Sequence, residues 1–432
     1  MTRYLRADLT WTGERFEADV AIGIDADGRI DSVGTAAPPL DSPVEHLKDR
    51  ALLPGFVNVH SHAFQRGLRG RGETFPAGAA GSFWTWREAM YALVETMTRE
   101  RIFELSRKAF REMRAAGITC VGEFHYLHHE GPEPDFAFDE QILAAAESAG
   151  IRLVLLETYY QTGGIGQPLS PAQRRFDGVS PADYWRQMDL LERRLGRDQT
   201  LGSVVHSVRA ANLGDLGEIY REARRRGLVF HIHVEEQRKE IEDCLAAYGK
   251  TPMAALLDVC GSALGITAVH CTHTSAEDLE RFLDGGGTAC ICPATEGNLG
   301  DGLPDLARFV AERGEAATRL ALGTDSNARI SFLEEMRWLE YGQRVSTETR
   351  GALRDAKGAV APVLLKAATL GGARSLGMPA GEIRPGAWAD FAAIDLDCPE
   401  LDGWEPETLL ESLIFGAGNG AIAETWVGGR RE

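Results

Sequence analysis

The chain has 432 residues, 44% hydrophobic and 25% charged, a composition suited to a globular protein with a sizeable core. Its formal net charge of −18 excludes nucleic acid as an expected partner and repels anions at long range, so an anionic substrate has to be captured by local arginines. No apolar run is long enough to span a bilayer and residues 1–4 lack a secretory signal's apolar character, so no membrane partner and a cytoplasmic address are expected; the seven scattered cysteines read as buried thiols.

In chain order, residues 2–33 alternate apolar and polar side chains around a DADG turn at 25–28, without a long helical pattern. Eight β-rich runs follow, at 56–59, 118–124, 151–158, 201–208, 228–234, 266–271, 288–292 and 319–323. Between them lie helical periodicities such as 99–116, 138–149 and 216–226. These close on Gly117, Gly150 and Gly227, where glycine can take the left-handed conformation that ends a helix. Strand and helix alternating eight times predict an α/β fold, a (β/α)₈ TIM barrel. Short β-rich runs at 387–396 and 423–427 are expected to pair with the N-terminal strands. Residues 1–54 and 378–432 are thus assigned to a small β-sandwich domain and 55–377 to the barrel.

In such a barrel the active site forms where the strands end, so polar residues closing apolar runs are the candidates. Residues 55–62, GFVNVHSH, place His60 and His62 two apart, on one face of an extended strand. The fifth run, LVFHIHVEE at 228–236, offers His233 as the third metal ligand. His231, deeper in the run, reads as a hydrogen-bonded core histidine. The sixth run ends in His270 and the eighth in Asp325, which taken singly would be read as a helix N-cap. Three imidazoles and one carboxylate with a coordination position left open describe one zinc ion per subunit, with iron as the competitor. Such an ion lowers the pKa of its water to about 7, which implies attack by metal-bound hydroxide and a hydrolytic reaction. Asp325 and Glu236 are the candidate proton carriers, and His270 the group that polarises the electrophile. The fourth run ends in His206 and offers no lysine to bridge a second metal.

The ligand set and the segment GEIRPGAWAD at 381–390 resemble the amidohydrolase superfamily, and the spacing from His233 to Glu236 is similar to its deaminase branch. More specific are HSHAFQR at 60–66, SFWTWRE at 82–88, EFHYLHH at 123–129 and EMRWLEYGQR at 335–344, which resemble the formimidoylglutamate deiminases. That resemblance implies hydrolysis of N-formimino-L-glutamate to N-formyl-L-glutamate and ammonia, a step of histidine degradation. It also implies Gln65, Tyr126 and His206 as hydrogen-bonding partners. A substrate with two carboxylates calls for two guanidinium forks, and Arg209 and Arg87 are the candidates. The competing reading is a mononuclear-zinc aminohydrolase of the same branch acting on guanine, a pterin or an s-triazine. Residues 82–88 read as an aromatic loop that closes over the site or reaches a neighbouring subunit of a homodimer. His125, His128 and His129 read as a solvated loop rather than a second metal site, and Arg224, Arg225 and Arg226 as cations offsetting a helix dipole.

Overall fold

The computed structural model describes residues 2–75, 81–312 and 319–431. Eight parallel strands pair in sequence order: β1 (Phe56–Ser61), β2 (Ile118–His125), β3 (Arg152–Tyr159), β4 (Gln199–Ser207), β5 (Phe230–Val234), β6 (Ile266–His270), β7 (Thr288–Ile291) and β8 (Leu320–Leu322). Each lies within two residues of its predicted run at either end. β1, β2 and β3 are buried along their whole length, because helices cover the outer face while side chains fill the inside; this is why they read as unbroken apolar runs. The ring closes just past β8. There the backbone N–H groups of Thr324 and Asp325 both donate to the His60 carbonyl at 3.0 Å, and His62 N–H donates to the Asp325 carbonyl at 2.9 Å. Gly323 permits this approach, since a Cβ at that position would stand 2.8 Å from His60 Cβ and 2.9 Å from Cys292 Sγ.

The first six helices are α1 (Phe83–Glu95), α2 (Arg99–Ala115), α3 (Asp139–Ala149), α4 (Pro181–Glu192), α5 (Leu213–Arg226) and α6 (Arg238–Tyr248). α2 starts at Thr98, whose hydroxyl accepts the Arg101 N–H, and buries Ile102, Ala109, Phe110 and Met113 along one stripe. α3 and α5 end on Gly150 (φ 65°) and Gly227 (φ 72°), as the sequence predicts. The aromatic segment 82–88 is not a loop: Ser82 precedes α1, and Thr85 Oγ1 accepts the Ser82 N–H at 3.0 Å, fixing the helix start. No described helix is long and apolar enough to cross a membrane.

Strands from both termini form one mixed sheet beside the barrel. Arg3–Trp11 pairs in parallel with Val44–Pro54, which pairs antiparallel with Phe391–Asp395, and Ile422–Val427 adds beyond it. Leu5, Ile22, Ile24, Leu52, Phe391 and Trp426 make its own core. The later helix Leu409–Gly416 packs instead on the barrel helix Phe332–Thr347.

Arg152 of β3 ties sheet to barrel through a two-pronged pair with Asp390 at 3.0 and 3.1 Å, both side chains being 1% exposed. Asp390 Oδ1 also accepts the Gly428 N–H at 2.7 Å. Asp390→Asn keeps the shape but leaves the buried guanidinium only Asp198, 2.8 Å from Nη1, as its anion, so unfolding free energy is expected to fall by about 1–3 kcal/mol. An unchanged chemical denaturation midpoint would contradict this account of the junction.

Candidate metal centre and pocket

The side chains of His60, His62, His233 and Asp325 converge inside the rim. His60 Nε2 and His62 Nε2 each lie 3.4 Å from Asp325 Oδ1, and His233 Nε2 lies 3.1 Å from His60 Nε2. Two of the rings are fixed from behind. His62 Nδ1–H donates to the Phe124 carbonyl at 2.8 Å and His233 Nδ1–H to the His206 carbonyl at 3.0 Å, which turns an unprotonated Nε2 inward in each case. The separations match the edge of a tetrahedron with ~2.05 Å bonds, roughly 3.3 Å. Burial holds His60 and His233 well below the usual imidazole range and lowers His62 to about 3, so all three present neutral nitrogen. A neutral N₃ set with one carboxylate fits a divalent cation of the zinc class.

A network invisible in the motif reading aims these candidate ligands. Asn58 Nδ2 donates to Thr324 Oγ1 at 2.7 Å, and Asn327 Nδ2 reaches Ser61 Oγ, the His62 carbonyl and the Asp325 carbonyl, each at 3.1 Å. Asp325 (φ 43°), Asn327 (φ 56°), His270 (φ 75°) and Glu235 (φ 54°) all hold left-handed backbone at the rim, a strained conformation for residues other than glycine. Asp325 is not an N-cap; the next helix is capped by Ser331.

His270 Nδ1–H donates to Glu296 at 3.3 Å, and Nε2 faces Glu236 and Asp325, each at 3.9 Å. Burial opposes charge on this ring, but Glu236, Glu296 and Asp325 outweigh it and push it up to about 10. Glu236 also pairs with Arg209 at 3.5 Å. Glu240, fully enclosed nearby, is raised to about 7 by burial, which Arg209 opposes. Glu296 was not foreseen: it lies on the helix Pro293–Leu299 after β7, whose run ends in no candidate ligand.

The pocket over this centre brings all five expected binding residues together, Gln65, Arg87, Tyr126, His206 and Arg209, with Glu236, His270 and Asp325 in its wall. Gln65 Nε2 donates to Tyr126 Oη at 2.8 Å. Arg87 stacks over Trp84 (5.6 Å) and Tyr91 (5.4 Å), and Arg209 lies over Phe83 (5.9 Å). Burial and then Arg209 hold His206 well below its usual range, leaving a neutral hydrogen-bonding ring. The helical form of α1 explains its pattern. Phe83, Trp86, Arg87, Met90 and Tyr91 recur at helical spacing and line the pocket from this same chain, while Trp84 and Glu88 point outward. Tyr160 is one of the wall residues missed in the sequence, with Met90, Tyr91, Phe176 and Leu299. Tyr160 follows β3 at the rim, so the same strand-end rule would have found it.

His231 is the core histidine expected, its Nε2–H donating to the Ser375 carbonyl at 3.2 Å. The solvated-loop expectation for His125, His128 and His129 is wrong: all three are buried. Their partners, Asp139, Thr158 and Asp177, come from other segments that supply the missing polar contacts. His129 Nε2–H donates to the Asp177 carbonyl at 2.7 Å, and Nδ1 accepts the N–H groups of Asp135 (3.1 Å) and Phe136 (3.0 Å). Burial, then His128, holds His129 below the usual range. Its contribution to stability is therefore complete above the unfolded value near 6.5. As pH falls below that it is lost at up to ~1.4 kcal/mol per pH unit. His129→Gln is expected to flatten the fall in unfolding free energy between about pH 6.5 and 5, measured by urea titration. A parallel pair of pH profiles would contradict the assignment.

The Amidohydrolase family model matches residues 51–431. The formimidoylglutamate deiminase of Pseudomonas aeruginosa is 36% identical over 424 residues, covering 96% of this chain and 91% of that protein. A 5-methylthioadenosine/S-adenosylhomocysteine deaminase of Natronomonas pharaonis is 28% identical, over 88% of this chain and 80% of its own. Among solved structures, an amidohydrolase from Brucella melitensis superposes with a TM-score of 0.88 at 33% identity, covering 99% of this chain and 94% of that one.

Proposed function

The chain belongs to the amidohydrolase family and is a hydrolase of C–N bonds, and from that premise we propose that it deiminates N-formimino-L-glutamate, yielding N-formyl-L-glutamate and ammonia. The observation that carries the reading is the presence of two guanidinium groups, Arg87 and Arg209, in the same pocket wall as the His60, His62, His233 and Asp325 cluster. In a protein of net charge −18, two cations facing one cavity are a local device for anions, and two carboxylates need two forks. The deiminase relative from Pseudomonas aeruginosa supports the same substrate.

His60, His62, His233 and Asp325 would hold the zinc-class cation. Such a cation lowers the pKa of a water beside it and makes it a nucleophile at neutral pH. The remaining work belongs to the chain's own groups. Arg87 and Arg209 grip the carboxylates, and Gln65, Tyr126 and His206 add hydrogen bonds, which fixes the formimino carbon over the centre. His270, its Nδ1–H held by Glu296, turns Nε2 toward the reacting end of the substrate and hydrogen-bonds it. Asp325 and Glu236 take up the water's two protons and Glu236 delivers them to the imino nitrogen. The C–N bond to that nitrogen breaks, ammonia leaves, and the oxygen stays on carbon as the formyl group. Arg209 pairs with Glu236 at 3.5 Å and so positions it beside the reacting end.

The aromatic rings of Phe83, Trp86, Tyr91 and Tyr160 favour a second reading, a deaminase of a flat heterocycle such as guanine, a pterin or an s-triazine. Ammonia release by the zinc-loaded protein separates the two. The expected kcat/KM for N-formimino-L-glutamate exceeds those for guanine and 5-methylthioadenosine by about 10³-fold or more, because neutral rings offer Arg87 and Arg209 no carboxylates to grip. Faster release from either ring would replace the first reading with the second.

A further inference from the structure

Outside the barrel cavity, behind β2 and β3, four side chains that the reaction does not use meet in the protein interior. They are His125 at the end of β2, His128 in the following segment, Asp139 in the first turn of α3 and Glu157 on β3, each at most 2% exposed. His125 Nε2 and His128 Nδ1 both lie 3.0 Å from Asp139 Oδ1, and His128 Nδ1 lies 3.3 Å from Glu157 Oε1. One ligand atom from each residue falls within 4.8 Å of the other three. The separations are close to the roughly 3.3 Å edge of a tetrahedral zinc site.

The orientation of His128 points the same way. Its Nε2–H donates to the Thr158 carbonyl at 2.8 Å, which sets the ring with Nδ1 toward the two carboxylates. That is how a ligating imidazole is fixed by its outer nitrogen. Asp139 is held likewise, its Oδ2 accepting from Gln187 Nε2 at 2.8 Å. Glu157 is fully buried, and neither of its oxygens has a hydrogen-bond partner, an expensive state for a carboxylate unless something cationic faces it. Two carboxylates cancel the charge of a divalent ion, and two imidazoles complete an N₂O₂ shell.

We propose that His125, His128, Asp139 and Glu157 form a second, structural site for a divalent cation of the zinc class, separate from the centre in the pocket. The ion would clamp β2, β3 and the start of α3, and with them the segment that presents Tyr126 to the pocket.

The test is zinc stoichiometry after chelator stripping and reloading of the whole protein with zinc alone, read by elemental analysis. The wild-type chain is expected to bind about two zinc ions, and Glu157→Gln and His128→Gln about one each. A chain carrying His60→Gln and Asp325→Asn, which disables the pocket centre, is expected to keep about one. A wild-type value of one with none left in that double variant overturns the proposal. So does a value of two that survives both Glu157→Gln and His128→Gln. Should those single variants not fold, the wild-type and double-variant counts decide the question alone.

Discussion

Arg209→Met is expected to lower kcat/KM for N-formimino-L-glutamate by about 10²–10³-fold, the loss that follows truncation of one partner in a desolvated, hydrogen-bonded charge pair. Part of that loss should appear in kcat. Arg209 is the cation beside Glu236 at 3.5 Å and opposes the upward push of burial on Glu240, so its removal also disturbs the proton carrier it pairs with. Arg87→Met is expected to act differently. Arg87 stacks on Trp84 and Tyr91 instead of pairing with Glu236, so its loss should fall mainly on KM, by about 10²-fold. Steady-state kinetics with both variants checks the split. Two variants with wild-type kcat/KM would remove the dicarboxylate from the account while leaving the hydrolase intact.

Glu236→Gln is expected to lower kcat by about 10³–10⁴-fold with zinc content near wild type and a smaller change in KM, because an amide keeps the shape, loses the ability to carry a proton and weakens the 3.5 Å pair with Arg209. His60→Gln should instead lose zinc and activity together. The contrast separates a proton carrier from a ligand. A Glu236→Gln protein retaining more than about a tenth of wild-type kcat would assign proton transfer elsewhere, with Asp325 the remaining candidate.

The barrel and the rim positions of the candidate ligands were legible because both obey short-period rules. A parallel strand buried on both faces reads as an apolar run, and its last polar residue is placed at the rim by chain geometry alone, as with His62, His233, His270 and Asp325. What was not legible depends on partners distant in sequence. The segment holding His125 and His128 looks solvated when read by itself, since Asp139 and Glu157, which accompany those rings in the interior, lie at least 11 and 29 residues further on. Asn58 and Asn327 likewise gain meaning only when β8 closes against β1. α1 is a different case. Its stripe of Phe83, Trp86, Arg87, Met90 and Tyr91 has helical period, but Phe83, Trp84, Thr85 and Trp86 favour strands one by one, and packing against the pocket overrides that preference.

The claim that two guanidinium groups read two carboxylates above the metal centre is tested most directly by changing enzyme and substrate together. kcat/KM is measured for the wild type, Arg87→Met and Arg209→Met, each on N-formimino-L-glutamate and on its side-chain amide, N-formimino-L-glutamine. The wild type is expected to use the amide about 10²-fold less well, and one of the two variants to lose little further on it, because that arginine's partner is already gone. Equal use of both substrates by the wild type, or the same loss on both substrates for each variant, would contradict the account.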